Sequence, residues 1–222
     1  MTKIKDNEIR FPHLIVCEGL DAKLFMVYYL QFLIKQDSRF EQFQVMDAGG
    51  ITELRLFIKT LPHLPYFDKV KSITIARDCE NNAKGANQSV QELLKQGFAV
   101  PEVPCTVALP TDGLYNVKTA YILFPKLNSD ETNGTLEDLC LETLACADRE
   151  IVLNIVDNTM LLYQEQFTGF KRPHKNRLHT YLSLSDVFVG LKIGESANAN
   201  AFDFSVSIFK PLVALLNAMF EE

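Results

Sequence analysis

Short runs of strand-forming apolar residues alternate with longer segments of helical character between residues 14 and 124. The expected strands are 14–17, 42–46, 70–76 and 119–124, and the expected helices are 21–33, 52–61 and 83–96. Strands that alternate with helices form right-handed crossovers, which place the strands in a mainly parallel sheet covered on both faces. The sequence therefore predicts an α/β fold with a Rossmann-like sheet flanked by helices.

The rest of the chain is predicted to add an edge hairpin and a helical extension. A strand at 106–109 and the turn signal at 110–113 suggest a hairpin with 119–124. We expect residues 1–147 to form the α/β core and residues 148–222 to form a helical extension packed on it. One further helix is predicted in the core, at 136–145, and the extension is predicted to contain helices at 151–166, 173–184 and 206–220, with a link at 197–201.

Composition bears on the cellular compartment and on the state of the cysteines. No apolar run approaches the roughly 20 residues of a membrane-spanning helix, and the first ten residues are polar, so we predict a cytoplasmic protein. Five cysteines without a CxxC pair indicate neither a disulfide framework nor a zinc site. We expect them to be reduced and mostly in the core.

A formal net charge of −6 excludes binding of nucleic acid by bulk electrostatics, so any such contact must be local. One basic cluster could supply it, with Lys171, Arg172, Lys175 and Arg177 as candidate nucleic-acid-binding residues. A solvated loop and helix face is the alternative interpretation of the same cluster.

Three acidic residues follow predicted strands. Glu18 follows the first strand, and Asp78 and Glu80 follow the third. Functional groups gather beyond the carboxyl ends of parallel strands, and carboxylates are ligands for Mg²⁺. If these acids share one crevice, repulsion should raise at least one of their pKa values. Alternatively, each acid could favour the start of the following helix, or Asp78 and Glu80 could pair with Arg77 and Lys84 on the surface.

Several short motifs, in their order along the chain, resemble the TOPRIM domain. The sequence Val-Cys-Glu-Gly-Leu-Asp at 16–21 resembles its first motif, and Asp-Cys-Glu at 78–80 stands where the family carries a DxD pair. The resemblance is closest to small stand-alone prokaryotic TOPRIM-like proteins, which are relatives of the overcoming-lysogenisation-defect nucleases. It continues through the segments 47–50, 133–138, 175–182 and 190–194.

The resemblance implies a site and a chemistry. Glu18 would act as general acid or base on phosphodiester bonds, and Asp78 and Glu80, with Glu18, would bind Mg²⁺ or Mn²⁺. In the nuclease branch a further acid and a lysine join the site, for which Glu137, Asp138 and Lys175 are the candidates. Glutamate at position 80 departs from the DxD pattern by one methylene.

Two classes of function follow from these observations. The first is a magnesium-dependent, nuclease-like protein that acts on nucleic acid. The second is a catalytically silent TOPRIM-fold module that binds a nucleotide, nucleic acid or a partner protein. Because nucleases of this kind often work beside an ATPase and this chain has no P-loop, an ATPase is a candidate partner.

Overall fold

A four-stranded parallel sheet forms the centre of the computed structural model, which describes residues 8–110 and 113–221. The strands are β1 (His13–Cys17), β2 (Phe43–Asp47), β3 (Ser72–Asp78) and β4 (Lys118–Phe124). Their spatial order is β2-β1-β3-β4, and each neighbouring pair is parallel. The predicted α/β fold with a parallel, Rossmann-like sheet is confirmed.

Helices connect the strands and make up most of the chain after β4. Three precede β4: α1 (Leu20–Ile34), α2 (Ile51–Thr60) and α3 (Ala83–Leu94). Five follow it in the described residues: α4 (Leu136–Glu142), α5 (Arg149–Gln166), α6 (Pro173–Ser183), α7 (Ile193–Asn198) and α8 (Lys210–Ala218). Within the ranges described, none of these helices has the length and apolar character needed to cross a membrane.

Both faces of the sheet are buried, because alternate residues of each strand enter different hydrophobic clusters. In β1, Ile15 and Cys17 pack with α1, whereas Leu14 and Val16 pack with α2 and α3. A strand buried on both faces needs apolar residues at successive positions, which is the pattern that the sequence shows.

The later helices pack on the α1 face of the sheet. Leu178 of α6 and Leu212 of α8 are fully buried in the same cluster as Phe25 of α1. α7 lies so close to α1 that a Cβ atom on Gly194 would stand 2.5 Å from the Leu24 Cβ. The boundary expected between 147 and 148 falls between α4 and α5, and the helices beyond it share their core with the sheet.

Three local predictions need correction. Residues 106–109 do not form a strand, since only Ala108 makes an antiparallel bridge, with Thr119. The predicted turn at 110–113 includes residues 111 and 112, which lie outside the described residues. The link expected at 197–201 begins inside α7, and the last helix begins at Lys210 after a 3-10 turn.

The five cysteines are thiols that form no disulfide bond within the described residues. Cys17, Cys79 and Cys140 are buried, Cys105 is half-buried and Cys146 is exposed. Burial raises the pKa of the Cys79 thiol to about 11 and that of the Cys105 thiol to about 12. A thiol is reactive in its ionised form, so these two are inert core residues at neutral pH.

Candidate functional site

The candidate site lies beyond the carboxyl ends of β1 and β3, the two central strands. The chain leaves β1 toward β2 on one side and later returns to β3 on the other side, so the strand order reverses between them. Such a reversal opens a crevice because the flanking connections run in opposite directions. The Glu18 N–H donates to the Ala76 carbonyl at 3.1 Å, which fixes the first acid of the site against β3.

Glu18, Asp78 and Glu80 converge in this crevice. Each contributes a carboxylate oxygen, and the three oxygens lie within 4.8 Å of one another. Glu18 and Asp78 are half-buried and Glu80 is exposed. The geometry is therefore that of one acidic cluster, formed by residues that are 60 positions apart in the sequence.

Glu80 reaches the cluster by a route that strand alternation does not predict. Its φ of 53° is in the left-handed region, so the chain is not extended beyond Asp78. Two reciprocal backbone hydrogen bonds of 2.8 Å hold Glu80 to Gly134. Gly134 itself has a φ of +136°, and a Cβ there would lie 2.7 Å from an Asp138 oxygen, so the bridge requires glycine.

Asp78 joins the cluster to the start of α4. Its Oδ1 accepts a 2.8 Å hydrogen bond from the Leu136 N–H. Burial, followed by the negative charges of Glu137 and Glu18, raises the pKa of the Asp78 carboxyl to about 8. Repulsion was expected to raise a pKa in this group, and burial proves to be the larger cause.

Glu18 is the acid with unused hydrogen-bonding capacity. Its Oε2 is buried, has no hydrogen-bond partner among the described residues, and lies 3.7 Å from the Arg77 Nε. Burial raises the pKa of the Glu18 carboxyl, although the positive charge of Arg77 acts against this. A buried carboxylate oxygen that lacks a donor is suited to a cation, since carboxylates avoid burial without a partner.

Lys175 forms an ion-pair network beside the cluster. Its Nζ lies 3.2 Å from Glu137 Oε1 and 3.5 Å from Asp21 Oδ2. Glu137 is only 2% exposed, so Lys175 neutralises a buried charge. Burial acts to lower the pKa of Lys175, but the charges of Glu137 and Asp21 raise it overall, so this lysine is a fixed cation.

Asp138 has a structural position at the start of α4. Its Oδ2 accepts from the Thr135 N–H at 2.8 Å, which satisfies one free donor at the helix start. Its carboxylate also lies 2.8 Å from His174 Nδ1, which ties α4 to α6. Asp138 is not among the three clustered carboxylates, and its contacts fix the start of α4 instead.

The cluster opens into a cleft of about 570 Å³ whose lining combines acidic and basic groups. Lys171, Arg172 and Lys175 line this cleft together with the three clustered acids. Arg177 does not line it, because its guanidinium makes two hydrogen bonds, of 2.7 and 2.8 Å, to Asp157. Three of the four predicted basic residues therefore face the same cleft as the acids.

Sequence reasoning did not select Asp21, Arg77 or His174 as site residues. Arg77 was considered only as a surface partner of Asp78 and Glu80. Arg77 instead faces Glu18, and Lys84 pairs with Asp130 at 3.0 Å. The position of Arg77, next to Asp78 at the end of β3, was the available signal that it could reach Glu18 on the neighbouring strand.

The donor set has the chemistry of a site for a hard divalent cation. Mg²⁺ and Mn²⁺ favour oxygen ligands, and Mg²⁺ is commonly held by one or two carboxylates together with water and phosphate oxygens. Glu18, Asp78 and Glu80 supply three carboxylates, one of which has a buried oxygen without a hydrogen-bond partner. The residues present therefore fit the metal that the TOPRIM resemblance implies.

Comparison with known proteins gives one result. Neither a curated protein nor a solved structure matches the chain. One family model, that of the proteins of unknown function DUF3226, matches residues 12–221, a range that includes the sheet, the acidic cluster and the helices α1 to α8. The chain therefore belongs to the DUF3226 family.

Proposed function

We propose that the protein is a TOPRIM-like, magnesium-dependent phosphodiester-processing protein that acts on nucleic acid in the manner of a nuclease. The observation that carries the proposal is the convergence of Glu18, Asp78 and Glu80 within 4.8 Å at the point where the strand order reverses. Lys171, Arg172 and Lys175 line the same cleft, which supports a role for this cleft in binding an anionic ligand.

In this proposal Asp78, Glu80 and Glu18 hold Mg²⁺ or Mn²⁺. The bound ion supplies charge stabilisation to a phosphoryl group and lowers the pKa of a coordinated water. The protein contributes a fixed arrangement of ligands, because Asp78 is held by the Leu136 N–H and Glu80 by its backbone bridge to Gly134. Both contacts come from the segment that leads into α4, so α4 positions the ligands from β3.

Glu18 is proposed to transfer the proton that phosphodiester cleavage requires. A general acid or base works best when its pKa lies near the working pH, and burial raises the pKa of Glu18 in that direction. Arg77 limits this rise and is placed to hold the Glu18 carboxylate in position. Lys175, whose Nζ lies among the acids of the cleft wall, is proposed to attract the phosphate.

A second candidate is a catalytically silent binding or regulatory module of the same fold, with an ATPase as its partner. Arg77 favours this candidate, because a guanidinium 3.7 Å from Glu18 already supplies positive charge to the cluster. Glutamate at position 80, instead of the aspartate of the DxD pattern, points in the same direction. This candidate predicts binding of nucleic acid without cleavage.

Cleavage of labelled DNA and RNA by the purified protein, with and without Mg²⁺ or Mn²⁺, tests the first candidate. We expect metal-dependent cleavage that is lost in Glu18→Gln and Asp78→Asn. Glu102→Gln is the matched control, since Glu102 is exposed and does not line the cleft. Absence of cleavage of any substrate, or equal activity in Glu18→Gln, would contradict the nuclease proposal.

A further inference from the structure

Three aromatic rings form a stack at the edge of the candidate site. Tyr163 contacts both other rings: its centroid lies 4.8 Å from that of Phe167, with the planes tilted by 31°, and 4.7 Å from that of Phe170. The Tyr163 and Phe170 planes differ by only 23°, which is a stacked arrangement. We call Tyr163, Phe167 and Phe170 the aromatic stack.

The aromatic stack is open to solvent, unlike the aromatic clusters of the core. Phe167 is 62% exposed and Tyr163 is 45% exposed. Phe25 and Phe209, by comparison, are almost fully buried against each other on the sheet. Exposed aromatic groups that are held in one orientation are typical of binding surfaces, because they offer a large contact area at little entropic cost.

The position of Phe170 connects the aromatic stack to the acidic cluster. Phe170 is half-buried and lines the same cleft as Glu18, Asp78 and Glu80. α5 ends at Gln166, and residues 167–172 cross to α6, so this connection carries Phe167 and Phe170 immediately before the cleft-lining residues Lys171 and Arg172. A ligand in this cleft can therefore contact Phe170 as well as the acids.

Two basic residues, Lys171 and Arg172, directly follow Phe170 in the sequence. Lys171 and Arg172 line the cleft, and no ion pair involves either of them among the residues that the structure describes. Lys175 and Arg177, by contrast, are engaged by Glu137 and Asp157. Lys171 and Arg172 are therefore the members of the basic cluster whose charges are not already offset by an acidic side chain of the described residues.

We propose that the aromatic stack and the Lys171–Arg172 pair form a binding surface for single-stranded nucleic acid. Unpaired bases would stack against the rings, while Lys171 and Arg172 bind the backbone phosphates and direct the strand toward the acidic cluster. A combination of stacking rings and a positive groove is how proteins bind single strands without sequence preference. The bases of a duplex are hidden within the helix, so they offer no ring face to Phe170.

This inference names the substrate class for the proposed function and rests on it for the direction of the strand. Binding itself does not require cleavage, so the two claims can be tested separately. Fluorescence anisotropy in the presence of EDTA measures affinity alone. The probes are a short fluorescein-labelled single-stranded DNA, an RNA of the same sequence, and the matching DNA duplex.

The informative variants remove stacking while they keep an apolar side chain. Phe170→Leu and Phe167→Leu retain contact with Tyr163 but lack a ring. Phe11→Leu is the matched control, because Phe11 is also exposed, at 43%, and does not line the cleft. We expect each stack variant to bind the single strand at least about fivefold more weakly, with circular dichroism spectra like that of the parent protein.

The salt dependence of binding tests the role of the two basic residues. Lys171→Gln and Arg172→Gln should each reduce the slope of log affinity against log salt by about 0.7, the value for one phosphate contact on a single strand. Lys59→Gln in α2, which is exposed and outside the cleft, is the control and should leave the slope unchanged.

The outcomes separate this proposal from the proposed function. Preferential binding of single strands that is weakened by Phe170→Leu supports the binding surface, whether or not the protein cleaves the bound strand. Equal affinity for the duplex, or unchanged affinity in both Phe170→Leu and Phe167→Leu, would overturn it even if metal-dependent cleavage is found.

Discussion

The Asp78 carboxylate accepts a 2.8 Å hydrogen bond from the backbone N–H of Leu136, so one side chain serves both the acidic cluster and the start of α4. A carboxylate at a helix N-terminus is stabilised by the free N–H groups there. In Asp78 this stabilisation is outweighed by burial and by the nearby charges of Glu137 and Glu18, since the pKa is raised. The metal-free cluster therefore carries an electrostatic cost that a cation would offset.

Asp78→Asn should stabilise the metal-free protein at alkaline pH. The pKa of Asp78 rises from 3.8 to about 8 on folding, so the folded state binds the proton more tightly and the parent protein loses stability as pH increases from 4 to 8. Asparagine keeps an acceptor for Leu136 but carries no charge. We expect the variant to gain at most about 6 kcal/mol relative to the parent above pH 8, since each pKa unit corresponds to about 1.4 kcal/mol, and little at pH 4.

Urea unfolding in EDTA at several pH values measures this difference. Asp68→Asn is the control, because Asp68 is exposed and lies in the 3-10 turn before β3. Parallel stability profiles for Asp78→Asn and the parent protein would show that Asp78 is not held in an unfavourable charged state.

Lys175→Met should destabilise the protein because it leaves the Glu137 carboxylate buried without its cation. Glu137 is 2% exposed, whereas Lys175 is 44% exposed at its side chain, so water partly compensates for the loss. We expect a loss of about 1–3 kcal/mol. The double variant Lys175→Met/Glu137→Gln should recover part of this stability, which a double-mutant cycle by chemical unfolding would detect. Additive losses would contradict the coupling of the two residues.

His13 should make the protein sensitive to mild acid. Burial, together with the positive charges of Lys71 and Lys118, lowers the pKa of His13 from 6.5 to about 4. The unfolded chain therefore binds the proton more readily between these values, and stability should be lost as pH falls from 6.5 to 4. Asp78 acts in the opposite sense over the same range, so the comparison is best made in the Asp78→Asn background.

His13→Asn should flatten that acid response. Asparagine can replace the hydrogen bond between His13 Nδ1 and Ser72 Oγ, which is 2.8 Å long, but it does not titrate. The stability of Asp78→Asn should fall by about 3 kcal/mol at most across this pH range, whereas that of the double variant should change much less. An identical pH slope in both proteins would assign the acid response to other groups.

Much of the fold is encoded in local sequence patterns. Buried strands on a parallel sheet require continuous apolar runs, and these runs predicted β1, β2, β3 and β4 to within two residues at each end. Residues 106–109 were misassigned as a strand on the basis of their apolar character. They form only a single bridge, from Ala108 to Thr119 of β4. Ile193–Asn198 was missed as a helix because six residues carry too little periodicity, and packing on α1 determines its conformation.

The site was predictable where strand ends determine it and unpredictable where loops do. Glu18 and Asp78 follow from parallel strand order, since both stand at the carboxyl ends of adjacent strands. Glu80 joins the cluster because its backbone is bridged to Gly134, more than 50 residues further along the chain. The alternation of side chains along a strand could not predict this contact. The pairing of Arg177 with Asp157 also joins separate helices. The cluster of basic residues in the sequence therefore predicted a larger available basic surface than the structure has.

Glu80→Asp tests how the departure from the DxD pattern affects the cluster. Aspartate tolerates the left-handed backbone conformation at this position better than glutamate, but its carboxylate is one methylene shorter. We expect Glu80→Asp to bind Mg²⁺ more weakly than the parent and more tightly than Glu80→Gln. A thermal-shift titration with Mg²⁺ ranks the three proteins, since an ion that binds the folded state raises the melting temperature. Equal shifts in all three would exclude Glu80 from the cation site.

Calorimetric titration of the purified protein with Mg²⁺ measures whether Glu18, Asp78 and Glu80 form one cation site. We expect a single binding event that is lost or strongly weakened in Glu18→Gln, in Asp78→Asn and in Glu80→Gln, and that is retained in Glu102→Gln. Absence of binding by the parent protein up to several millimolar Mg²⁺, or binding that all three variants retain, would contradict it.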